Sequence, residues 1–277
     1  MKKILIPLDF SETSDNAFIY GLEMANLLKA ELVLLHTFVL PVVDNQAISF
    51  NYATIYNTIE MANFDHFKEK LPQLRSIASE RNLDHIAMNH IMMDGDLLYN
   101  IKKVVAEESI DLVVMGTKGA EGWFDTFIGT NTGSVITSVA VPVLSVPADA
   151  KYQKIETIAF TTRFRPKDID ALNKVLFYAK KFQAQVKCLY VKTSDSDVNS
   201  ETINRWKSHF EDEENLQFFI IPDEDVQRTI EDFLDNQSAD MLAMLTYKRN
   251  FFVELFTTST TQKLSYYLKT PILALHE

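Results

Sequence analysis

Five of the chain's seven glycines fall within 18 consecutive positions, and this concentration is the strongest sign of chemistry in the sequence. Gly116 and Gly119 are followed, after nine residues, by Gly129 and Thr130. Glycines at the end of a strand let backbone amides approach phosphate oxygens, and a helix start offers further unpaired amides. Lys118 adds a cation to this stretch. The spacing favours a phosphate-binding loop over a simple surface turn.

Short apolar runs alternate with helical patterns, and these elements would position the glycine loop. Ile4–Leu8 and Leu32–Leu35 have the composition of buried strands, and Leu112–Met115 is a third strand that ends at Gly116. Strands that alternate with helices of about 10–15 residues predict right-handed crossovers and a parallel sheet covered on both faces. Ligands of such sheets bind beyond the carboxyl ends of the strands, which is where the glycine loop begins.

The second half of the chain repeats the first. An offset of 129 residues carries Asp111–Met115 onto Asp240–Met244 and Val141–Leu144 onto Thr270–Leu273. One offset that serves several elements predicts two tandem copies, each a five-stranded, Rossmann-like α/β domain. The predicted domains are residues 1–148 and 151–277.

The two copies differ at the loop, because no glycine occurs after Gly133. When the copies are aligned by eye, Thr162 stands opposite Asp9, and Thr246, Arg249 and Thr258 stand in the three glycine positions. Side chains there would occupy the space that a phosphate needs. We therefore expect the second domain to keep the scaffold without the phosphate site.

Composition excludes several classes of function. Thirty-eight acidic and 27 basic residues give a net charge of −11, which disfavours binding to nucleic acid. The single cysteine, Cys188, excludes an intrachain disulfide. No segment reaches the roughly 18 apolar residues of a membrane span, and the first residues read as a strand, not a signal peptide. We expect a cytoplasmic protein that does not bind membranes.

Other catalytic and metal-binding patterns are absent from the sequence. It lacks the Gly-Lys-Ser/Thr ending of a P-loop, the Gly-x-Gly-x-x-Gly fingerprint and the His-x-x-x-His spacing of zinc sites. We interpret His36 as a structural residue, Asp94–Asp96 as a turn that caps a helix, and Glu211–Glu214 as a solvated loop. The apolar segments 41–58 and Trp123–Phe127 could be a lid, an oligomer surface or packing within their own domain.

The pattern Gly-x₂-Gly-x₉-Gly-Ser/Thr resembles the ATP-binding signature of the universal stress protein family. The turn Pro7–Ser11, the strand end Leu34–His36 and the strand Val141–Leu144 are also similar to that family. The resemblance covers both copies, strongly in the first and weakly in the second. It implies that Asp9 lies at the adenine and ribose end of a nucleotide and that backbone groups of Thr37 contact the adenine edge.

The resemblance also implies an ATP site whose Mg²⁺ or Mn²⁺ is carried by the nucleotide, with no metal ligand from the protein. A phosphate-loop register shifted toward Ser134 stays open. No evident base would activate water, so we expect no catalytic residues and at most slow ATP hydrolysis. The expected nucleotide-binding residues are Pro7, Leu8, Asp9, Thr37, Met115, Gly116, Thr117, Lys118, Gly119, Gly129, Thr130 and Asn131.

These expectations make the chain an adenine-nucleotide-binding stress-response protein with one nucleotide per chain. One alternative is an interaction module that binds no nucleotide; another is an ATP-pyrophosphatase-type enzyme, which would need a further phosphate loop and a substrate domain.

In the family that the sequence resembles, the last strand pairs antiparallel with its counterpart across a dimer axis. We expect Val141–Val146 to lie beside Pro271–Leu275, an internal pseudo-dimer, and leave open a homodimer of whole chains.

Overall fold

The strands form where the sequence has continuous apolar runs, because a parallel sheet is buried on both faces. Ile4, Leu5 and Ile6 of the first strand are at most 1% exposed. The computed structural model describes residues 2–39, 52–117, 130–246 and 270–276, without the side chains of 52–56 and 130. The chain divides into two units, one ending at Met115 and the other beginning at Gly116.

The first unit is a parallel sheet in the order β3-β2-β1-β4. Its helix α1 starts at a Ser11 cap and stops where Lys29 takes a left-handed conformation. The elements are β1 (Lys2–Pro7), α1 (Glu12–Leu28), β2 (Ala30–Phe38), α2 (Tyr52–Glu80), β3 (Met88–Asp94), α3 (Leu97–Glu107) and β4 (Leu112–Thr117), whose last two residues cross into the second unit.

The second unit has strands in the order β5-β10-β9-β6-β7-β8, parallel except between β5 and β10. The predicted α/β fold with parallel sheets is thus confirmed. The elements are α4 (Thr130–Ile136), β5 (Val143–Pro147), β6 (Thr157–Thr161), α5 (Pro166–Phe182), β7 (Gln185–Lys192), α6 (Ser200–His209), β8 (Leu216–Pro222), α7 (Val226–Asn236), β9 (Met241–Leu245) and β10 (Ile272–Leu275).

The antiparallel pair of β5 and β10 confirms the predicted contact between the two last strands. Ser145 lies opposite Ile272, and Leu144 lies opposite Leu273. Both strands are fully buried, so each covers an apolar edge that would otherwise be exposed. Because of this pair, β5 belongs to the second unit. The sequence domains 1–148 and 151–277 describe repeats of sequence and stay a prediction.

Hydrogen bonds establish which residues of the two repeats correspond. The Leu8 N–H donates to the Leu35 carbonyl (2.8 Å), as the Thr162 N–H donates to the Leu189 carbonyl (2.9 Å). Two residues further along, Phe10 (φ 61°) and Phe164 (φ 54°) share the left-handed conformation. Thr162 therefore corresponds to Leu8.

This correspondence corrects the alignment made from the sequence. The counterpart of Asp9 is Arg163, not Thr162. Strand register corrects a second position: Leu112 pairs with Ile4 and Met241 with Ile158, so Leu245, not Thr246, is the counterpart of Gly116. The turn after β6 was misaligned because it lacks the Pro-x-Asp motif of the first turn, whereas Leu245 follows directly from the offset of 129 residues. The other two proposed glycine counterparts, at 249 and 258, lie outside the described residues.

No helix among the described residues is long and apolar enough to cross a membrane.

Candidate functional site

Asp9 lies just beyond the carboxyl end of β1 and is exposed, between buried Leu8 and the start of α1. Its Oδ1 accepts hydrogen bonds from the Ser11 N–H (3.0 Å) and the Ser11 hydroxyl (2.6 Å). Ser11 Oγ in turn accepts from the Ser14 N–H at 3.2 Å, which caps α1. The chain thus fixes a carboxylate at the sheet edge where ligands of α/β folds bind.

Thr37 lies at the same edge of the sheet, one residue before the end of β2. The Leu35 carbonyl faces β1, because it accepts from Leu8 N–H. Backbone groups alternate sides along a strand, so the N–H and C=O of Thr37 face the same side, where β1 has already ended at Pro7. Phe38 shows the alternation, since its carbonyl accepts from Gly95 N–H on the β3 side. The backbone of Thr37 thus faces the space beyond the end of β1.

The surroundings of Asp9 are acidic. Burial raises the pKa of Asp15, and the nearby carboxylates of Asp9 and Glu12 raise it further, whereas Lys70 opposes the shift. Asp9, Glu12 and Asp15 thus lie near one another beyond β1, with Lys70 as the opposing charge.

An aromatic cluster supports the turn that carries Asp9. The ring of Phe10 packs against His36, His66 and Phe67 at centroid distances of 5.0, 5.5 and 5.8 Å. His36 is 9% exposed, and its Nδ1 donates to the Leu8 carbonyl at 2.9 Å. The interpretation of His36 as a structural residue is confirmed.

The end of β4 carries the described part of the predicted phosphate loop. Met115 and Thr117 are buried, and the Thr132 hydroxyl donates to the Gly116 carbonyl at 3.2 Å. This bond ties the first turn of α4 to the strand end, and Asn131 next to it is exposed. Lys118, Gly119 and Gly129 lie outside the described residues, as does the side chain of Thr130, the first residue of α4.

Gly133 and Ser134, the alternative register of the phosphate loop, lie inside α4. The carbonyl of Gly133 accepts from the Thr137 hydroxyl at 2.9 Å. Both registers of the loop stay open, because residues 118–129 lie outside the described part of the chain.

Two further interpretations of the sequence are settled. Asp96 caps α3 by accepting from the Tyr99 N–H at 2.8 Å, and Gly95 takes a φ of 110°, so Asp94–Asp96 is the predicted turn. Glu211–Glu214 forms a turn in which Glu213 pairs with Lys180 at 2.8 Å. Within the described ranges, no group of three His, Cys, Asp or Glu side chains could hold a metal ion.

Sequence reasoning missed a cavity of about 290 Å³ in the second unit. It lies at the carboxyl ends of β6 and β7 and includes Arg163, the counterpart of Asp9. The signal that could have revealed it is the pair of arginines in the turn after β6, at positions 163 and 165. The sequence-based alignment of the two repeats hid this pair, because it placed Thr162 opposite Asp9.

Comparison with known proteins decides the family. The model of the universal stress protein family matches residues 1–147, more than half of the chain. The chain belongs to the universal stress protein family. Universal stress protein MJ0577 of Methanocaldococcus jannaschii is 27% identical over 158 residues, which cover 52% of this chain and 94% of that protein.

Two solved structures share the fold over nearly the whole chain. A universal stress protein from Archaeoglobus fulgidus superimposes with a TM-score of 0.73 at 16% identity, covering 99% of this chain and 98% of the other. A universal stress protein described in Pseudomonas aeruginosa gives a TM-score of 0.61 at 11% identity, with coverages of 100% and 93%. At these identities the likeness shows the fold alone, and it extends over both repeats.

Proposed function

We propose that this universal stress protein binds one adenine nucleotide, ATP, through its first repeat and uses it as a ligand that shifts conformation or association. The observation that carries the proposal is the exposed Asp9 carboxylate, held by Ser11 at the carboxyl end of β1. The family resemblance implies that an aspartate at this place contacts the adenine and ribose end of ATP.

The described residues suit the adenosine part of this ligand. A carboxylate accepts hydrogen bonds from ribose hydroxyls, and an adenine edge needs both a donor and an acceptor. Thr37 offers a backbone donor and acceptor on the side where β1 has ended.

The glycine spacing at 116, 119 and 129 supports a phosphate subsite beyond β4. Backbone amides there, with Lys118 and the Thr130 hydroxyl, would hold the phosphates, and Thr117, Asn131 and the strand residues Pro7, Leu8 and Met115 would complete the site. The divalent ion, Mg²⁺ or Mn²⁺, would come with the nucleotide and neutralise phosphate charge. In this proposal the protein binds and orients ATP, and the cytoplasm is its expected location.

Calorimetric titration with ATP and Mg²⁺ tests the proposal. We expect one nucleotide per chain, and Asp9→Ala should weaken binding by about 1–3 kcal/mol because a nucleotide donor loses its acceptor. Asp84→Ala is the matched control, since Asp84 is also exposed but precedes β3 at the opposite edge of the sheet. Gly119→Val and Gly129→Val should abolish binding, because a β-branched side chain fills the phosphate space.

Each outcome of the titration decides something different. Two nucleotides per chain would show a functioning second site. Unchanged affinity in a folded Asp9→Ala protein would mean that Asp9 only shapes its turn. No binding at all to a folded protein would favour an interaction module. As a second readout, ATP at 100 times its dissociation constant should stabilise the folded protein by about 2.7 kcal/mol.

We also propose that the β5–β10 pair is the core of an internal pseudo-dimer of the two repeats. The supporting observation is the antiparallel register, in which β5 of the first repeat meets β10 of the second. Ser145→Pro would remove a ladder donor from β5, and we expect it to lower the melting temperature of the full chain. Sedimentation of the native chain would then show whether whole chains associate further.

A further inference from the structure

The cavity in the second repeat occupies the place where the first repeat would bind its nucleotide. It is lined by the turn after β6, the end of β7 and the loop 193–198. Its volume of about 290 Å³ is just below the range for drug-sized ligand sites, roughly 300–1,000 Å³, so only a small molecule would fit. The second repeat has therefore kept a pocket while losing the glycines.

The lining of this cavity is unsuited to ATP. Arg163 replaces the acceptor Asp9 with a donor, so ribose hydroxyls lose their partner. Leu245 stands where the first repeat has Gly116, and it is a buried part of the lining. Asp195 and Asp197 offset the charges of Arg163 and Arg165 in the lining, so the cavity offers no net positive charge to a triphosphate. A nucleotide is thus a poor match in shape and in charge.

The same lining suits a smaller molecule with one negative charge. Leu189, Ile230 and Leu245 are each at most 4% exposed and give the cavity an apolar side. Arg163 and Arg165 belong to the same lining, and the guanidinium of Arg165 is held against Asp197, another lining residue. An apolar wall beside cationic, planar donors is the combination that recognises an organic carboxylate.

Arg165 already holds a carboxylate in the fork geometry. Its Nη1 and Nη2 donate to the two carboxylate oxygens of Asp197 at 3.0 and 2.9 Å. This hydrogen bond holds the pKa of Asp197 below its usual value. The side chains of Arg165 and Asp197 are 43% and 64% exposed, and exposed ion pairs contribute little to stability. A carboxylate that also buries an apolar body can therefore compete with Asp197.

We propose that the second repeat binds a small monocarboxylic acid with an apolar body. The ligand's carboxylate displaces Asp197 from Arg165, and its apolar part packs against Leu189, Ile230 and Leu245. The loop 193–198 keeps its bonds from Ser194 to Glu224 when Asp197 loses the arginine, so only the Asp197 side chain has to move. The proposal does not depend on ATP binding in the first repeat.

Trp206 provides a local reporter of binding. Its ring packs edge-on against Phe164 at a centroid distance of 5.1 Å, and Phe164 lies between Arg163 and Arg165 in the chain. The sequence has two tryptophans, so Trp123→Phe leaves Trp206 as the only one. A change in tryptophan fluorescence in that background then reports on the second repeat.

The experiment is a fluorescence titration of the full-length Trp123→Phe protein with benzoate and, separately, with its neutral isostere benzamide. We expect saturable binding of benzoate that is at least tenfold tighter than binding of benzamide. Arg165→Gln should weaken benzoate at least tenfold, because the bidentate donor is lost. Asp197→Asn should tighten it by about two- to fivefold, because the internal competitor is removed.

Glu213→Gln is the matched control. It breaks an exposed ion pair of similar length, Glu213 with Lys180, in the turn before β8 and so at the opposite edge of the sheet. Benzoate affinity should not change in this variant, nor in the Trp123→Phe protein saturated with ATP. The Asp197→Asn arm keeps the test valid if Arg165→Gln fails to fold, since Asp197 lies in an exposed loop.

Several results would overturn the proposal. Equal binding of benzamide would mean an apolar cavity without carboxylate recognition. Unchanged benzoate affinity in Asp197→Asn would mean that the ligand does not compete for Arg165. Competition between ATP and benzoate would mean that the nucleotide uses this cavity.

Discussion

The turns that follow β1 and β6 have the same backbone and opposite polar chemistry. In both, the first residue beyond the strand donates to the neighbouring strand and a phenylalanine takes a left-handed conformation. After β1 the polar contacts lie outside, between exposed Asp9 and Ser11. After β6 the polar contacts are buried, because they are made to Asp168. Asp168 is the counterpart of Ser14 when Thr162 is matched with Leu8.

Asp168 closes the second turn from within. Its Oδ2 accepts from the Thr162 hydroxyl (2.8 Å), the Arg163 N–H (2.8 Å) and the Arg165 N–H (3.1 Å), and the residue is fully buried. The second turn therefore satisfies its own donors, whereas the first presents a carboxylate to the outside. The two turns thus keep the same backbone, while the exposed residue changes from a hydrogen-bond acceptor, Asp9, to a donor, Arg163.

The aromatic residues of the two turns offer the largest test of this comparison. Phe164 is 4% exposed and packs against Tyr190 and Trp206, so Phe164→Ala should cost about 3–5 kcal/mol of unfolding free energy. Phe10→Ala should cost less, because Phe10 is only half-buried. Denaturant unfolding measures both.

Phe164→Gly should be no less stable than Phe164→Ala, since glycine tolerates a φ of 54°. The reverse order would contradict a strained backbone at this position.

The polar residues offer the next test. Asp168→Ala leaves buried donors of Thr162, Arg163 and Arg165 without their acceptor, and we expect a loss of about 3 kcal/mol. Ser14→Ala, its counterpart, removes one bond to the Ser11 carbonyl and should cost about 1 kcal/mol. Chemical denaturation of both variants provides the measurement. Equal losses would show that the two turns are held by similar means.

A smaller effect on stability is expected from α1 and α5, the helices that follow the two turns. Gly21 of α1 corresponds to Val175 of α5, and a Cβ at Gly21 would overlap the side chain of buried Ile6. Gly21→Val should therefore destabilise the protein by about 1–3 kcal/mol, measured by thermal unfolding. Adding Ile6→Val should recover part of that loss. A double variant no better than Gly21→Val would place the strain elsewhere.

The smallest expected effect is on pH dependence. Burial raises the pKa of Asp168, and its hydrogen bonds only partly offset this. The unfolded chain therefore loses this proton at a lower pH than the folded protein, so stability falls as pH rises from about 3.8 through the raised pKa. Asp168→Asn should remove this fall. Unfolding of both proteins across pH 4–7 is the measurement, and parallel curves would contradict it.

Much of this structure could be predicted, because its elements depend on local patterns. The apolar run at Ile4–Leu8 and the helical spacing after Ser11 predict β1 and α1 without reference to the rest of the chain. The contact of β5 with β10 was predicted from the pairing of last strands in the family that the sequence resembles, and the need to cover two apolar edges supports it. Element ends are harder to predict: the sequence from His85 to Met93 has the pattern of one strand, whereas β3 begins at Met88, because residues 84–86 form a turn.

The candidate sites depend on contacts that a single sequence does not show. Asp9 was found through a family motif, but the direction of the Thr37 backbone depends on where β1 ends relative to β2. The cavity of the second repeat is built from separate segments, so the local pair of arginines at 163 and 165 indicates only one part of its lining. Its key residue, Arg163, was misaligned because only hydrogen bonds and strand register reveal the true correspondence.

The pairing of β5 with β10 also has a consequence for synthesis of the protein. Ser145 meets Ile272, its partner 127 positions later in the chain. At roughly 5–20 residues per second, a ribosome needs about 6–25 s to make that interval. During this time β5 has been made and its partner strand has not. A chain truncated before β10 would leave the β10-facing side of β5 unpaired. Each truncated molecule would then expose an apolar strand edge that can pair with other chains.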